Sequence, residues 1–178
     1  SVDLTDALCG IPFPPVSVRA VRIGAQYARS YIFSSGNTAF IGAVLAHHGL
    51  AAPFRAGHTL LAHPAHVEQP GGRLRVRPFH DPLAPPPCPS GRCYRDMCKG
   101  AMLRDTFGQP PAAPRVLYVG DSASGDLCPA TLLHTTDLLL ARAGFSLAHT
   151  LAHHPHSVRC RVAVWHTHAD LLRLMQHE

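Results

Sequence analysis

Asp121 and Asp126 are the residues whose type and spacing most readily do chemistry in this chain. They stand five positions apart, at the ends of the turn Asp121-Ser122-Ala123-Ser124-Gly125-Asp126, directly after the apolar run Val116 to Val119. That run reads as a short buried strand and the Ser/Gly-rich residues as its release. In an open α/β sheet the strand ends face the crevice where ligands bind, so Asp121 would leave a strand tip there. Two carboxylates joined by small residues offer hard oxygens of the kind Mg²⁺ accepts while keeping several waters. A polar turn that only closes a strand has the same composition, and the pattern by itself admits both readings.

A second group is Ser34-Ser35-Gly36-Asn37, which follows Tyr31-Ile32-Phe33 and precedes a helical pattern of Phe40, Ile41, Val44, Leu45 and His48. Its hydroxyl and amide groups lie beside the free N–H groups of a helix start, a ready site for phosphate. The same residue types also serve as plain helix caps. The third candidate is Lys99, at the start of a plausible short helix running to Phe107. Fifteen of the sixteen Lys and Arg residues are Arg, so this one compact ammonium stands out. Lysine delivers a point charge where arginine delivers a planar fork.

Six cysteines are spread unevenly, at positions 9, 88, 93, 98, 128 and 160, in a pattern unlike a disulfide framework. Reduced thiols in the cytoplasm are the expected state. Cys88, Cys93 and Cys98, with His80 as a fourth ligand, invite a metal reading. Their four-residue spacings depart from the tight Cys-x2-Cys knuckles of most structural zinc sites, so packed or free thiols are the expectation. The histidines at 149, 153, 154 and 156 are given no role.

The elements that would position these residues alternate. Helix is expected over 16–27, strand over 31–34, helix over 40–48, two strands at 58–62 and 73–77 forming a hairpin, and helix over 99–107. Then come strand 116–119, helix 126–135, strand 137–140, helix 145–153, strand 161–165 and helix 169–177. Gly49 suits a helix stop. Alternation of this kind predicts a layered α/β fold with a mainly parallel sheet. The 178 residues, 46% hydrophobic, suffice for one domain of ordinary core size. Within it, 50–98 reads as an insertion made of the hairpin and a Pro/Cys-rich loop. A formal charge of +5 arises from scattered arginines rather than a basic stripe, which argues against nucleic acid. No apolar run is long enough to span a membrane as a helix.

A strand ending at Ser34, Lys99 at a helix start, and a strand ending at Asp121 with Asp126 after it resemble the second, third and fourth motifs of the haloacid dehalogenase (HAD) superfamily. Four segments narrow the likeness: 33–37, Gly72 to His80, Asp96-Met97-Cys98-Lys99-Gly100, and Tyr118 to Pro129 with its Gly120-Asp121 and Gly125-Asp126-Leu127-Cys128-Pro129. In order and over roughly Leu4 to Met175, they are similar to the phosphoethanolamine/phosphocholine phosphatase family and its plant relatives. The resemblance implies a HAD-like Rossmannoid three-layer sandwich over 1–178, incomplete at its N-terminus. It also implies phosphatase chemistry on a small phosphorylated metabolite, by way of an aspartyl-phosphate. Ser34 would hydrogen-bond the phosphoryl group with Ser35, Gly36 and Asn37 around it. Lys99 would neutralise its charge, and Asp121 and Asp126 would hold Mg²⁺ directly or through water. Cys98 and Cys128 would flank the site as packing residues.

The sequence departs from that family in specific places. No Asp-x-Asp-x-Thr/Val nucleophile motif is present, because Asp3-Leu4-Thr5-Asp6 follows no apolar strand, and the helical cap inserted after that motif is missing too. Ser35 replaces a carboxylate of the family motif, and one extra residue separates Asp121 from Asp126. The chain is therefore read as a fragment, inactive alone, of a Mg²⁺-dependent phosphatase whose nucleophile lies outside these residues. The alternative is a truncated or degenerate homologue that binds phosphate or a protein partner without turnover.

Overall fold

Helices and strands alternate as the apolar pattern requires in the computed structural model of the chain. It describes residues 7–8, 10–68, 70, 72–84, 88, 93–108 and 114–177; the Asp3 to Asp6 segment lies outside them. The backbone divides into two compact units, 1–79 with 172–178, and 80–171. The chain is thus partitioned at Phe79/His80, inside the stretch 50–98 that the sequence suggested as one insertion. Among the described residues no helix is long and apolar enough to cross a membrane.

In the first unit α1 (Pro15–Tyr27) starts on a proline, which loses nothing at a helix start because that N–H has no partner there. Strand β1 (Ile32–Asn37) leads directly into α2 (Thr38–His47). Gly49, at φ 64, ends α2. The N–H of Gly49 reaches Ala46 O at 3.1 Å and that of Leu50 reaches Leu45 O at 2.7 Å, so the left-handed glycine satisfies carbonyls the helix would otherwise leave open. Leu45, Leu50, Phe54, Leu60 and Ala62 form the local core, with Phe13, Val18, Val21, Ile32 and Ile41 packed against it.

Strand β2 (Leu60–His63) pairs parallel with β1, from Ile32 opposite Leu60 to Ser34 opposite Ala62. The expected hairpin is therefore real but built from different strands. β3 (Ala65–Glu68), not 58–62, pairs antiparallel with β4 (Arg73–Val76). Pro64 explains the change: it separates two short runs, and the buried alternation of Leu60 and Ala62 suits the core beside β1 better than an exposed ribbon.

In the second unit α3 (Lys99–Phe107), β5 (Leu117–Gly120), α4 (Ala123–Ala130), β6 (Leu138–Arg142), α5 (Ser146–His153) and β7 (Arg161–Trp165) follow in order. A last helix, α6 (His168–Gln176), begins in this unit and ends in the first. β5, β6 and β7 form a parallel sheet in that order, with β6 central and its Leu138, Leu139, Leu140 and Ala141 fully buried. The sheet is held at its start by Asp137, whose carboxylate accepts from Val116 N at 2.9 Å and from His134 N at 2.6 Å.

Helix α4 covers 123–130 where 126–135 was expected. It starts early because the Asp126 side chain reaches back to the turn. It stops early because Thr131 Oγ1 donates to Cys128 O at 2.8 Å, and Asp137 draws the following turn toward β6.

β5 pairs with β6 on one side and with no strand on the other among the described residues, and its Leu117 and Val119 are 37% and 40% exposed. Parallel strands are ordinarily covered on both faces, and a bare apolar edge is a template for association. The 178-residue chain is expected to self-associate as its concentration rises in sedimentation velocity. Replacing Leu117 and Val119 by Lys should shift it toward monomer. A concentration-independent monomer would contradict this.

Candidate functional site

The carboxylate of Asp126 is the centre of the site in the second unit. The residue is 2% exposed, and four donors converge on it. Lys99 Nζ donates to Oδ1 at 2.8 Å and Tyr118 OH to the same oxygen at 2.9 Å. The backbone N–H groups of Asp121 and Ser122 donate to Oδ2, each at 3.0 Å. Each element has a local reason to present its group. Asp126 lies in the first turn of α4 and accepts the N–H of Ser122, the residue just before that helix, as a capping-box acid does. Lys99 is the first residue of α3, fixed there because Cys98 caps the helix by accepting the N–H of Ala101 at 3.4 Å. Gly120 ends β5, and a Cβ built on it would stand 2.9 Å from Asp126 Cβ and Cγ, so only glycine lets the carboxylate come this close to the strand.

Burial by itself would push the Asp126 carboxyl up. The hydrogen bond and charge of Lys99, with the two loop N–H groups, outweigh it and hold the group below its ordinary value of 3.8. Burial, and then the Asp126 charge, push the Tyr118 phenol well up, which keeps it protonated as a donor. Asp121 is different. Among the described residues its side chain has no hydrogen bond or ion pair, while its backbone ties the turn together through Leu147 N to Asp121 O at 3.0 Å.

The donor set can be tested against the hard cation that the resemblance implies. Asp121 offers an unengaged carboxylate at a strand tip, the oxygen chemistry that Mg²⁺ takes. Asp126, expected to hold the ion with it directly or through water, accepts two hydrogen bonds on each oxygen, from Lys99, Tyr118 and the two N–H groups of the turn.

Ser34, Ser35, Gly36 and Asn37 lie in the first unit. The strand does not stop at Ser34 as expected but runs on to Asn37, with a register shift against β2 between Ser34 and Asn37. Such a bulge bends the strand and re-aims its side chains. Ser34 Oγ accepts the N–H of Gly36 at 3.1 Å, and among the described residues its O–H donates to nothing. Asn37 Oδ1 accepts Phe40 N–H at 2.9 Å and is the cap of α2. Ser35 and Gly36 are exposed.

Tyr118 was missed in reading the sequence. The signal was available: a phenol inside a buried apolar run must find a partner for its O–H. The thiols of Cys93 and Cys128 are poor nucleophiles, since burial pushes Cys93 strongly up and Cys128 to about 12.

The chain matches the family described as "Putative Phosphatase" over residues 1–178. It is 27% identical over 173 residues to "Probable phosphatase phospho2" of Xenopus tropicalis, covering 96% of this chain and 70% of that protein. Mouse and human proteins named "Pyridoxal phosphate phosphatase PHOSPHO2" are 26% and 25% identical, each match covering 98% of this chain and 72% of the relative. No solved structure matches.

Removing the buried acceptor should leave Lys99, Tyr118 and two N–H groups without their partner. Asp126→Ala is therefore expected to cost about 3–5 kcal/mol of unfolding free energy, and Tyr118→Phe about 1.5–3 kcal/mol, in denaturant titrations. The pH dependence has a fixed sign. A carboxyl held below its unfolded value contributes stability that is full above the unfolded value and is lost as pH falls through the folded one. Stability should therefore decline on acidification below the ordinary 3.8, and Asp126→Asn should flatten that limb. An unchanged acid limb in the variant would contradict the assignment.

Proposed function

The chain belongs to this phosphatase family, and on that premise we propose that it is the phosphate-handling part of a Mg²⁺-dependent, HAD-type phosphatase acting on small phosphomonoesters. The observation that carries the reading is the Lys99–Asp126 pair, 2.8 Å apart with side chains 17% and 3% exposed, on the turn whose Asp121 carboxylate is unengaged. A cation held in place beside a hard oxygen suits a phosphoryl dianion, whose transfer depends on positioning and charge stabilisation.

In this reading Lys99 neutralises phosphoryl charge. Its ammonium has three protons, of which Asp126 takes one, leaving the others for phosphate oxygens. Asp126 acts through Lys99 and the turn, holding the ammonium charged and aimed. Asp121 would hold Mg²⁺, with Asp126 beside it directly or through water. When bound, Mg²⁺ would supply further neutralisation of the phosphoryl oxygens. In the first unit Ser34, on the bulged end of β1 with Ser35, Gly36 and the capping Asn37, would offer its O–H to phosphate.

In this reading the attacking group would be an aspartate carboxylate. Its oxygen would bond to phosphorus as the P–O ester bond breaks and the ester oxygen takes a proton to leave as the alcohol; water would then cleave the aspartyl-phosphate, giving orthophosphate and the free carboxylate. Relatives named for pyridoxal phosphate put that ester first among substrates to test, ahead of phosphoethanolamine and phosphocholine. Cys88, Cys93, Cys98, Cys128 and Cys160 are not joined in disulfides, which suits a reducing, cytoplasmic setting.

The test is phosphate release from these esters by the product of the complete reading frame that contains these residues, with and without Mg²⁺. Lys99→Met and Asp121→Asn should each lower kcat by about 10²–10³, the loss typical of removing one charge-stabilising group. Release indifferent to both Mg²⁺ and Asp121→Asn would overturn the mechanism. Phosphate binding without release would favour the non-catalytic homologue instead.

A further inference from the structure

Outside the carboxylate site the second unit brings together four sulfurs. Cys88 and Cys93 come from the Pro-rich stretch before α3, Cys98 from the cap of α3, and Cys128 from α4. Their Sγ atoms all lie within 4.8 Å of one another. The fourth member is Cys128, not the His80 imidazole suggested by the sequence.

Two of the separations are telling. Cys88 Sγ and Cys98 Sγ stand 3.7 Å and 3.8 Å from Cys128 Sγ. A disulfide would bring a pair to about 2.05 Å, so these cysteines are not oxidised to one another. Four sulfurs bound tetrahedrally at a Zn–S distance of about 2.3 Å are separated by about 3.8 Å, the edge of that tetrahedron. A multi-iron cluster would hold its cysteines farther apart. We propose that Cys88, Cys93, Cys98 and Cys128 form a tetrahedral thiolate site for one zinc ion.

The surroundings are built for that approach. A Cβ on Gly100 would come within 2.5 Å of Cys128 Sγ, so the absence of a side chain there gives the sulfur its place against α3. Cys88 and Cys98 are buried, with Ala101 beside them, and Cys93 and Cys128 pack on this cluster half-buried. Between Cys93 and Cys98 the chain makes a tight turn, with Met97 N bonded to Tyr94 O at 3.3 Å, which returns the second cysteine toward the first. Apart from that turn, the described residues between His80 and Cys98 form no helix or strand. A metal cross-link would tie these described residues to α3 and α4. Thiolates are soft ligands that select zinc over magnesium, so this site is chemically separate from the Asp121 carboxylate.

The position also gives the ion a task. Cys98 directly precedes Lys99, and Cys128 follows Asp126 by two residues, so zinc would clamp α3 to α4 beside the Lys99–Asp126 pair. Binding releases the thiol protons and couples the ion to folding.

The 178-residue chain, produced in zinc-supplemented medium and gel-filtered, should carry about one zinc per chain by elemental analysis. Cys93→Ser and Cys128→Ser should lose it, and Cys160→Ser should keep it. A strong chelator should lower the melting temperature of the unmutated protein, zinc should restore it, and Mg²⁺ should not. Cobalt in place of zinc should give thiolate charge-transfer and tetrahedral d–d absorption, a readout that does not depend on the variants folding. Metal-free protein whose four thiols react equally fast with and without zinc would overturn the proposal. So would a disulfide between any two of the four, or a red protein holding iron.

Discussion

A carboxylate that is 2% exposed stays charged only if its lone pairs are taken, and Asp126 meets that condition with an ammonium, a phenol and two backbone N–H groups. Much of the second unit follows from this. Glycine is required at 120 because the carboxylate lies against the strand end. Tyr118 faces the same way and donates its O–H to that carboxylate. Lys99 opens α3 at a point where its long stem is covered and its charge is met. The turn from Asp121 to Gly125 holds its shape because two of its N–H groups end on one oxygen.

That arrangement divides labour between two aspartates that look equivalent in the sequence. One is engaged on both oxygens, while the side chain of the other, Asp121, has no hydrogen bond or ion pair among the described residues. The same division recurs in the first unit. Asn37 is occupied as a cap of α2, while the Ser34 hydroxyl accepts one bond from Gly36 and retains its proton. In both places a group held by the protein stands beside one that is not, which is how a site can be preorganised without the ligand.

Hard and soft donors are also kept apart. The carboxylates of Asp121 and Asp126 lie at the tip of β5, while the thiols of Cys88, Cys93, Cys98 and Cys128 gather beside α3 and α4. Because α3 and α4 begin or pass at both places, the stiffness of the thiol cluster bears on the geometry of the ion pair. The helices are nine and eight residues long, too short to be stable on propensity, so their positions depend on such tertiary ties.

The amino-acid sequence by itself determined the α/β class, the helix over 99–107 with Lys99 at its start, the stop at Gly49 and the strand before Asp121. All of these rest on local physics: periodicity, the left-handed freedom of glycine, and apolar runs between polar breaks. Only the tertiary structure decided that 60–63 joins β1 while 65–68 takes the hairpin, that Asp126 is saturated while Asp121 is not, and that Cys128 rather than His80 completes the sulfur cluster. Those outcomes depend on which distant groups meet in a buried space. Separations of 27 residues from Lys99 to Asp126 and 30 from Cys98 to Cys128 carry no periodic or spacing signal that could announce such meetings.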